Sequence, residues 1–167
     1  QNFFESSKTN SLSSFKIISF CEKNKVPLVY ASSSAVYGNL PFGDERGEIE
    51  LLSPYAADKY SMEKYLEAAF NYSKLPSFGL RFFNVYGPRQ DPSSQYSGVI
   101  SIFTNRLHQN KEVFVNGGHQ TRDFIYVGDV VRCLIEAQKK ISKDFGYYIS
   151  NVLTGESITI NELIKNL

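Results

Sequence analysis

Apolar residues recur along the chain in two periods, one that suits helices and one that suits buried strands. Leu12, Phe15, Ile18 or Ser19, and Glu22 fall at helical spacing and predict a first helix over residues 12–24. The apolar run 26–31 then reads as a buried strand. After a loop rich in Gly, Pro and acidic residues, Ser53 supplies a hydroxyl suited to capping a helix, and Pro54 at the first helical position has no N–H to leave unsatisfied. Met62, Tyr65, Leu66, Ala69 and Phe70 follow at i, i+3, i+4, i+7 and i+8, the core-facing stripe of a helix that reaches residue 73. Residues 78–85 return as a strand that ends where Tyr86-Gly87-Pro88 breaks it.

Further on, the pattern predicts a helix over 99–109 and short strands over 113–115 and 123–127. Asp129 is expected to cap a helix reaching residue 140, with Val130, Val131, Leu134, Ile135 and Ala137 as its apolar positions. A strand over 147–149 and a closing helix from about Thr159 complete the order. Strands alternating with helices at this spacing predict an α/β fold, a mostly parallel sheet with helices on both faces. Ligands of such sheets bind at the carboxyl ends of the strands, so the residues just after Ala31 and Phe83 are where chemistry is expected.

Composition narrows the classes of function. A chain of 167 residues suffices for one domain with a sizeable core, and 42% apolar with 21% charged residues is ordinary globular usage. A formal charge of +1 gives no electrostatic reason to expect a nucleic-acid or membrane-surface partner. Cys21 and Cys133 lie far apart and read as free thiols, the first ten residues lack the basic lead and apolar run of a secretory signal, and a cytoplasmic setting is expected. The only methionine is Met62, and the last residues stop inside an amphipathic pattern, so the sequence reads as an excerpt of a longer protein.

The candidate chemistry follows the first strand and opens the long helix. Ser32, Ser33 and Ser34 precede Ala35-Val36-Tyr37-Gly38, which is either a Ser-rich turn or a row of hydroxyls placed for use at a strand end. Tyr55 and Lys59 stand four apart on one helical face, a spacing that Tyr60 and Lys64 repeat. Tyr55 sits in the first turn after Ser53-Pro54, whereas Tyr60 lies near the core stripe and reads as packing or surface. A tyrosine acting as a base near neutral pH must release its proton about 4 kcal/mol more easily than a free phenol. A helix N-terminus offers about 0.3 to 1 kcal/mol, so a fixed cation one turn along, here Lys59, has to supply most of the rest. His108 and His119 show no metal-ligand spacing, and no metal site is expected. Asp44, Glu45, Glu48 and Glu50 read as a solvated loop.

Ser33, the Val36-Tyr37-Gly38 triplet and the run Ser53-Pro54-Tyr55-Ala56-Ala57-Asp58-Lys59 together resemble the Ser/Tyr/Lys signature of extended short-chain dehydrogenases/reductases. The segments from Leu80 to Pro92 and from Gly118 to Val127 resemble the nucleotide-sugar epimerases and dehydratases within that group, and the four matches occur in order over nearly the whole chain. The resemblance implies part of a doubly wound, Rossmann-type domain. Residues 1–96 would be the second half of the dinucleotide-binding domain with the catalytic residues, and 97–167 a substrate-binding region interleaved with the last strands. It implies NAD as cofactor, a UDP-sugar as substrate, and a homodimer.

By position, the resemblance makes Ser33 the donor to the substrate hydroxyl, Tyr55 the base, and Lys59 the cation that also holds the nicotinamide ribose. It sets Phe83 and Val85 beside the nicotinamide, and gives Asn84, Val99 and Arg122 to the substrate. Arginine's planar fork suits the diphosphate, while for Arg122 a structural pair with Asp123 and for Asn84 a strand-end turn role stay open. No G-x-G-x-x-G occurs in these residues, so they are not expected to retain NAD or to turn over alone. The activity implied is C4 epimerisation through a transient 4-keto sugar. The rivals are a dehydratase or decarboxylase of the same family, and an inactive or scaffolding module. Dehydratases carry Asp-Glu after the catalytic hydroxyl, where this chain has Ser34-Ala35, which favours the epimerase.

Overall fold

A computed structural model describes residues 2–41, 43–94 and 96–167. They form two compact units, one of residues up to Phe82 with Arg132–Val152, the other of Phe83–Val131 with Leu153–Leu167.

In the first unit the helical path begins earlier than the apolar pattern predicts. Helix α1 (Phe3–Ser7), capped by Asn2, runs through a π-helical turn (Lys8–Leu12) into α2 (Ser13–Asn24). Periodicity misses the early part because none of its residues is buried. Polar contacts hold it instead: Ser6, Ser7 and Ser11 donate their hydroxyls to the carboxylate of Asp58 at 2.6, 2.9 and 2.6 Å. Lys25 adopts a left-handed conformation (φ 57°) and the N–H of Val26 bonds Cys21 O at 2.9 Å, so Val26 belongs to the helix exit. Strand β1 accordingly runs Leu28–Ser33, two residues later than expected.

Helix α3 (Pro54–Ser73) starts and stops as the sequence predicts, with Ser53 Oγ accepting from Ala56 N at 3.1 Å. Met62 and Leu66 of its stripe are buried with Ile18, Cys21, Tyr30 and Leu75. Tyr65 is not: it is 55% exposed and its ring lies 4.3 Å from that of Phe15 at the rim. β1 pairs in parallel with β2 (Ser77–Phe82), which pairs in parallel with the strand Tyr147–Val152. Gly79 in β2 is required by packing, because a Cβ there would strike the Tyr30 phenol and Ile149.

In the second unit the expected strand 78–85 turns out to be two. β2 ends at Phe82, and β3 (Asn84–Tyr86) pairs in parallel with β4 (Thr121–Tyr126) in a separate sheet. Helix α4 (Val99–His108) is as predicted, but residues 113–115 form no strand. Val113 and Val115 pack on the cluster of Phe103, Ile160 and Leu163 without a strand partner, so apolar character there reflects burial and not pairing. Helix α5 (Val127–Lys143), whose residues from Arg132 onward belong to the first unit, begins before Asp129, which falls in its first turn. Val130, Ala137 and Ile141 of α5 are buried, while Val131 and Ile135 are 47% and 48% exposed, against expectation.

The strand after α5, Tyr147–Val152, is β5, and gives the first sheet the order β1-β2-β5. Side chains alternate between faces, so Tyr147 joins the α2/α3 side while Tyr148 meets Phe78 and Lys140 of α5 on the other. β6 (Ser157–Thr159) runs antiparallel to β4, and α6 (Ile160–Lys165) opens with a capping box between Thr159 and Glu162. No helix among the described residues is long and apolar enough to cross a membrane.

Candidate active site

The first unit brings Ser33, Tyr55 and Lys59 to the carboxyl end of β1. Ser33 closes the strand with extended backbone, and its Oγ accepts from Ala35 N at 3.1 Å, which fixes the side chain as the cap of a short turn over Ser34–Tyr37. The hydroxyl proton has no protein acceptor among the described residues, so it remains free to be donated. Tyr55 stands in the first turn of α3, as its position after the Ser53 cap requires.

Lys59 lies one turn on, its Nζ 5.6 Å from the centre of the Tyr55 ring and donating to Ala31 O at 3.0 Å. That carbonyl belongs to β1 two residues before Ser33, so one hydrogen bond ties the ammonium to the strand that carries the serine. Burial pushes the Lys59 ammonium below its ordinary value, and the neighbouring Asp58 carboxylate opposes part of that effect. An ammonium carries three donors, so two remain after the bond to Ala31, which suits the paired hydroxyls of a ribose.

Asp58 is itself buried. Burial works against its charge, but the hydroxyls of Ser11, Ser6 and Ser7 outweigh that and hold the carboxyl below its ordinary value. Glu45 and Glu50, expected in a solvated loop, are staples: Glu45 Oε1 accepts from Asn151 N and Glu50 Oε2 from Asn39 N, each at 2.7 Å.

Beside Ser33, Tyr55 and Lys59 lies a buried polar network. Arg81 forks onto Glu63 (Nε to Oε1 2.9 Å, Nη2 to Oε2 2.7 Å), and its Nη1 donates to the Tyr37 hydroxyl at 2.8 Å. The Tyr37 hydroxyl donates in turn to Asn151 Oδ1 at 2.7 Å, and Ser32 Oγ donates to Glu63 Oε1. Burial disfavours the Arg81 charge, yet Glu63 and Tyr37 more than compensate and hold the guanidinium above its ordinary value. Burial raises the Tyr37 phenol, with Arg81 and Asn151 opposing. Glu63 could have been found from its place one turn beyond Lys59; nothing local in the sequence marks Asn151.

The second unit contains a cleft of about 500 Å³. Asn84, Val85, Val99 and Arg122 all line it, together with the 114–116 segment. Asn84 Nδ2 donates to Asp123 O at 2.8 Å. Arg122 is exposed, with Nη1 on Thr121 O at 2.7 Å. The Asp123 carboxylate accepts instead from Thr154 N (2.9 Å) and Gly155 N (2.7 Å). Phe83 sits between β2 and β3, half-buried, and is not among the residues lining the cleft. Gln90 and Tyr96 also line the cleft and escape sequence reasoning, because a long loop brings them there.

The chain is 39% identical over 160 residues to a Methanocaldococcus jannaschii protein assigned as a UDP-glucose 4-epimerase, covering 92% of this chain and 50% of the relative. Among solved structures it is similar to the UDP-N-acetylglucosamine 4-epimerase of Methanobrevibacter ruminantium in complex with UDP-N-acetylmuramic acid (TM-score 0.87, 36% identity, 95% of this chain and 51% of that one). It is also similar to the UDP-glucose 4-epimerase of Thermotoga maritima with UDP-glucose (TM-score 0.85, 34% identity, 95% and 52%). The chain thus spans about half the length of the relatives it matches. The model of one family matches residues 4–152, taking in the serine strand, α3, the paired strands and α5, and on that match the chain belongs to the NAD dependent epimerase/dehydratase family.

Proposed function

We propose that this chain carries the proton-transfer residues and part of the nucleotide site of an NAD-dependent UDP-hexose 4-epimerase. The observation that carries the reading is Lys59, a half-buried residue whose ammonium is held on the Ala31 carbonyl beside the Tyr55 ring, with the Ser33 hydroxyl at the end of the same strand. A cation partly shielded from water acts more strongly on its neighbours than one in solvent. Tyr55 therefore takes the proton of the sugar 4-hydroxyl and later returns it, and Ser33 donates a hydrogen bond to the same oxygen. Lys59 directs its two remaining N–H groups to the nicotinamide ribose. Bound NAD supplies the reversible two-electron oxidation at C4 and ends unchanged. In the second unit, Asn84 and Arg122 hold the diphosphate, with the start of α4 at Val99 against the sugar; Phe83 and Val85 flank the nicotinamide.

Ser34-Ala35 immediately follows Ser33 and offers neither an acid nor a base, which supports epimerisation over dehydration. A product assay tests this. The full-length protein incubated with a UDP-hexose is expected to yield the C4 epimer with no net NADH absorbance and no 4-keto-6-deoxy sugar. Detection of the keto-deoxy product by mass would move the protein to the dehydratases.

A further inference from the structure

Three polar side chains stand in one row across the first sheet, since Ser32 is the register partner of Arg81 and Arg81 of Asn151. The next row on the same face is Tyr30, Gly79 and Ile149, which belongs to the apolar core under α2 and α3. An apolar row would continue that core at the carboxyl end. Instead α3 lowers Glu63 onto the polar row, where its side chain is 2% and that of Arg81 4% exposed.

Stability alone does not call for this arrangement, because well-packed apolar residues in place of a buried ion pair are often neutral or stabilising. A forked arginine–carboxylate pair does fix orientation. Its two arms reach the segment around Ser33 from both sides. Ser32, immediately before it, donates to Glu63, and Tyr37, four residues after it, accepts from Arg81. Glu63 in turn lies on α3 one turn past Lys59 and two past Tyr55. Together with the Lys59 bond to Ala31, this closes a loop of contacts between the end of β1 and the start of α3.

We propose that the Arg81–Glu63 pair, with Ser32 and Tyr37 as its arms, is the positioning device that holds Ser33 in register with Tyr55 and Lys59. The inference rests on the catalytic reading given above. The four are positioning residues and touch no substrate. Breaking the ion pair itself risks the fold, so the test removes the arms.

In the full-length protein, Ser32→Ala and Tyr37→Phe each delete one hydroxyl and leave the pair intact, and the phenylalanine keeps a ring 5.0 Å from the Arg81 guanidinium. Each is expected to lower kcat by about tenfold to a hundredfold, the cost of misplacing a reacting group by about 1 Å. KM for the UDP-hexose, bound NAD per chain and the folded fraction at the assay temperature should stay close to those of the parent. Unchanged kcat in both variants overturns the proposal. So does a loss of kcat that only tracks lost NAD or lost folded protein, since that is what a purely structural pair would give. Tyr55→Phe measured alongside separates the two readings. If it is inactive while both arm variants keep full turnover, positioning alone fails; if it retains full turnover, the catalytic reading fails and positioning with it.

Discussion

Tyr55 and Tyr60 share the same local pattern, and each has a lysine ammonium near its ring, at 5.6 and 5.4 Å. What differs is where each ammonium is held. Lys59 is half-buried and bonded to a strand carbonyl, whereas Lys64 pairs with Glu67 at 2.8 Å with side chains 54% and 43% exposed. Solvent screens the second cation, so its surface pair is worth little. Tyr55→Phe in the full-length protein should therefore cut turnover by several orders of magnitude while nucleotide-sugar binding and folding persist, and Tyr60→Phe should be nearly silent. Steady-state turnover with calorimetric binding checks both; near-normal turnover of the Tyr55 variant would sink the assignment. Among the described residues the Arg122 side chain makes one hydrogen bond, to its neighbour's carbonyl. Its replacement by Ala should weaken nucleoside diphosphate binding by about 1.5 to 3 kcal/mol with NAD content unchanged. An unaltered titration isotherm would take Arg122 out of the site.

At the scale of elements, α3 is fixed from two directions. Its apolar side is buried through Met62 and Leu66, and its opening turns are bound to the first helical segment through Asp58. The folded Asp58 carboxyl sits below its ordinary value of 3.8. A group with a lowered folded pKa contributes stability that is complete above its unfolded value and is lost as pH falls through the folded one. Acidification below that ordinary value should therefore loosen the segment 3–12 from α3. In Asp58→Asn this contribution is absent at every pH, so the fall in urea midpoint between about pH 7 and about pH 3 should be smaller than in the parent. Equal falls in the two proteins would mean that other carboxylates govern the acid response.

At the scale of the molecule, the first sheet has β1 at one edge, with β2 as its only partner among the described residues. An exposed strand edge invites association. No G-x-G-x-x-G occurs in the 167 residues, and such a turn with the helix N-terminus after it ordinarily supplies the backbone donors that hold a dinucleotide pyrophosphate. The 167-residue chain expressed by itself is therefore expected to purify without NAD, to show no epimerisation, and to be prone to aggregate. Nucleotide analysis of the denatured protein decides it, and stoichiometric NAD would refute the expectation.

Where the candidate site's residues fall in the fold was largely legible in the sequence because the rules that place them are local. Ser53 and Pro54 open α3 through contacts within one turn, and Tyr55 and Lys59 share a face through the helical repeat. The α/β alternation followed from periodicity alone. Pairing, by contrast, is decided between segments far apart, and there the tertiary structure had the last word. It divided the run 78–85 between two sheets, left 113–115 without a strand partner, and turned Tyr65 out of the core stripe. It anchored a helical segment by serines on a distant aspartate, where no apolar stripe announced it. The row of Ser32, Arg81 and Asn151 depends on strand register, which no spacing within the chain encodes. Only the folded sheet aligns those three, because each gains its partner from a residue at least 18 positions away.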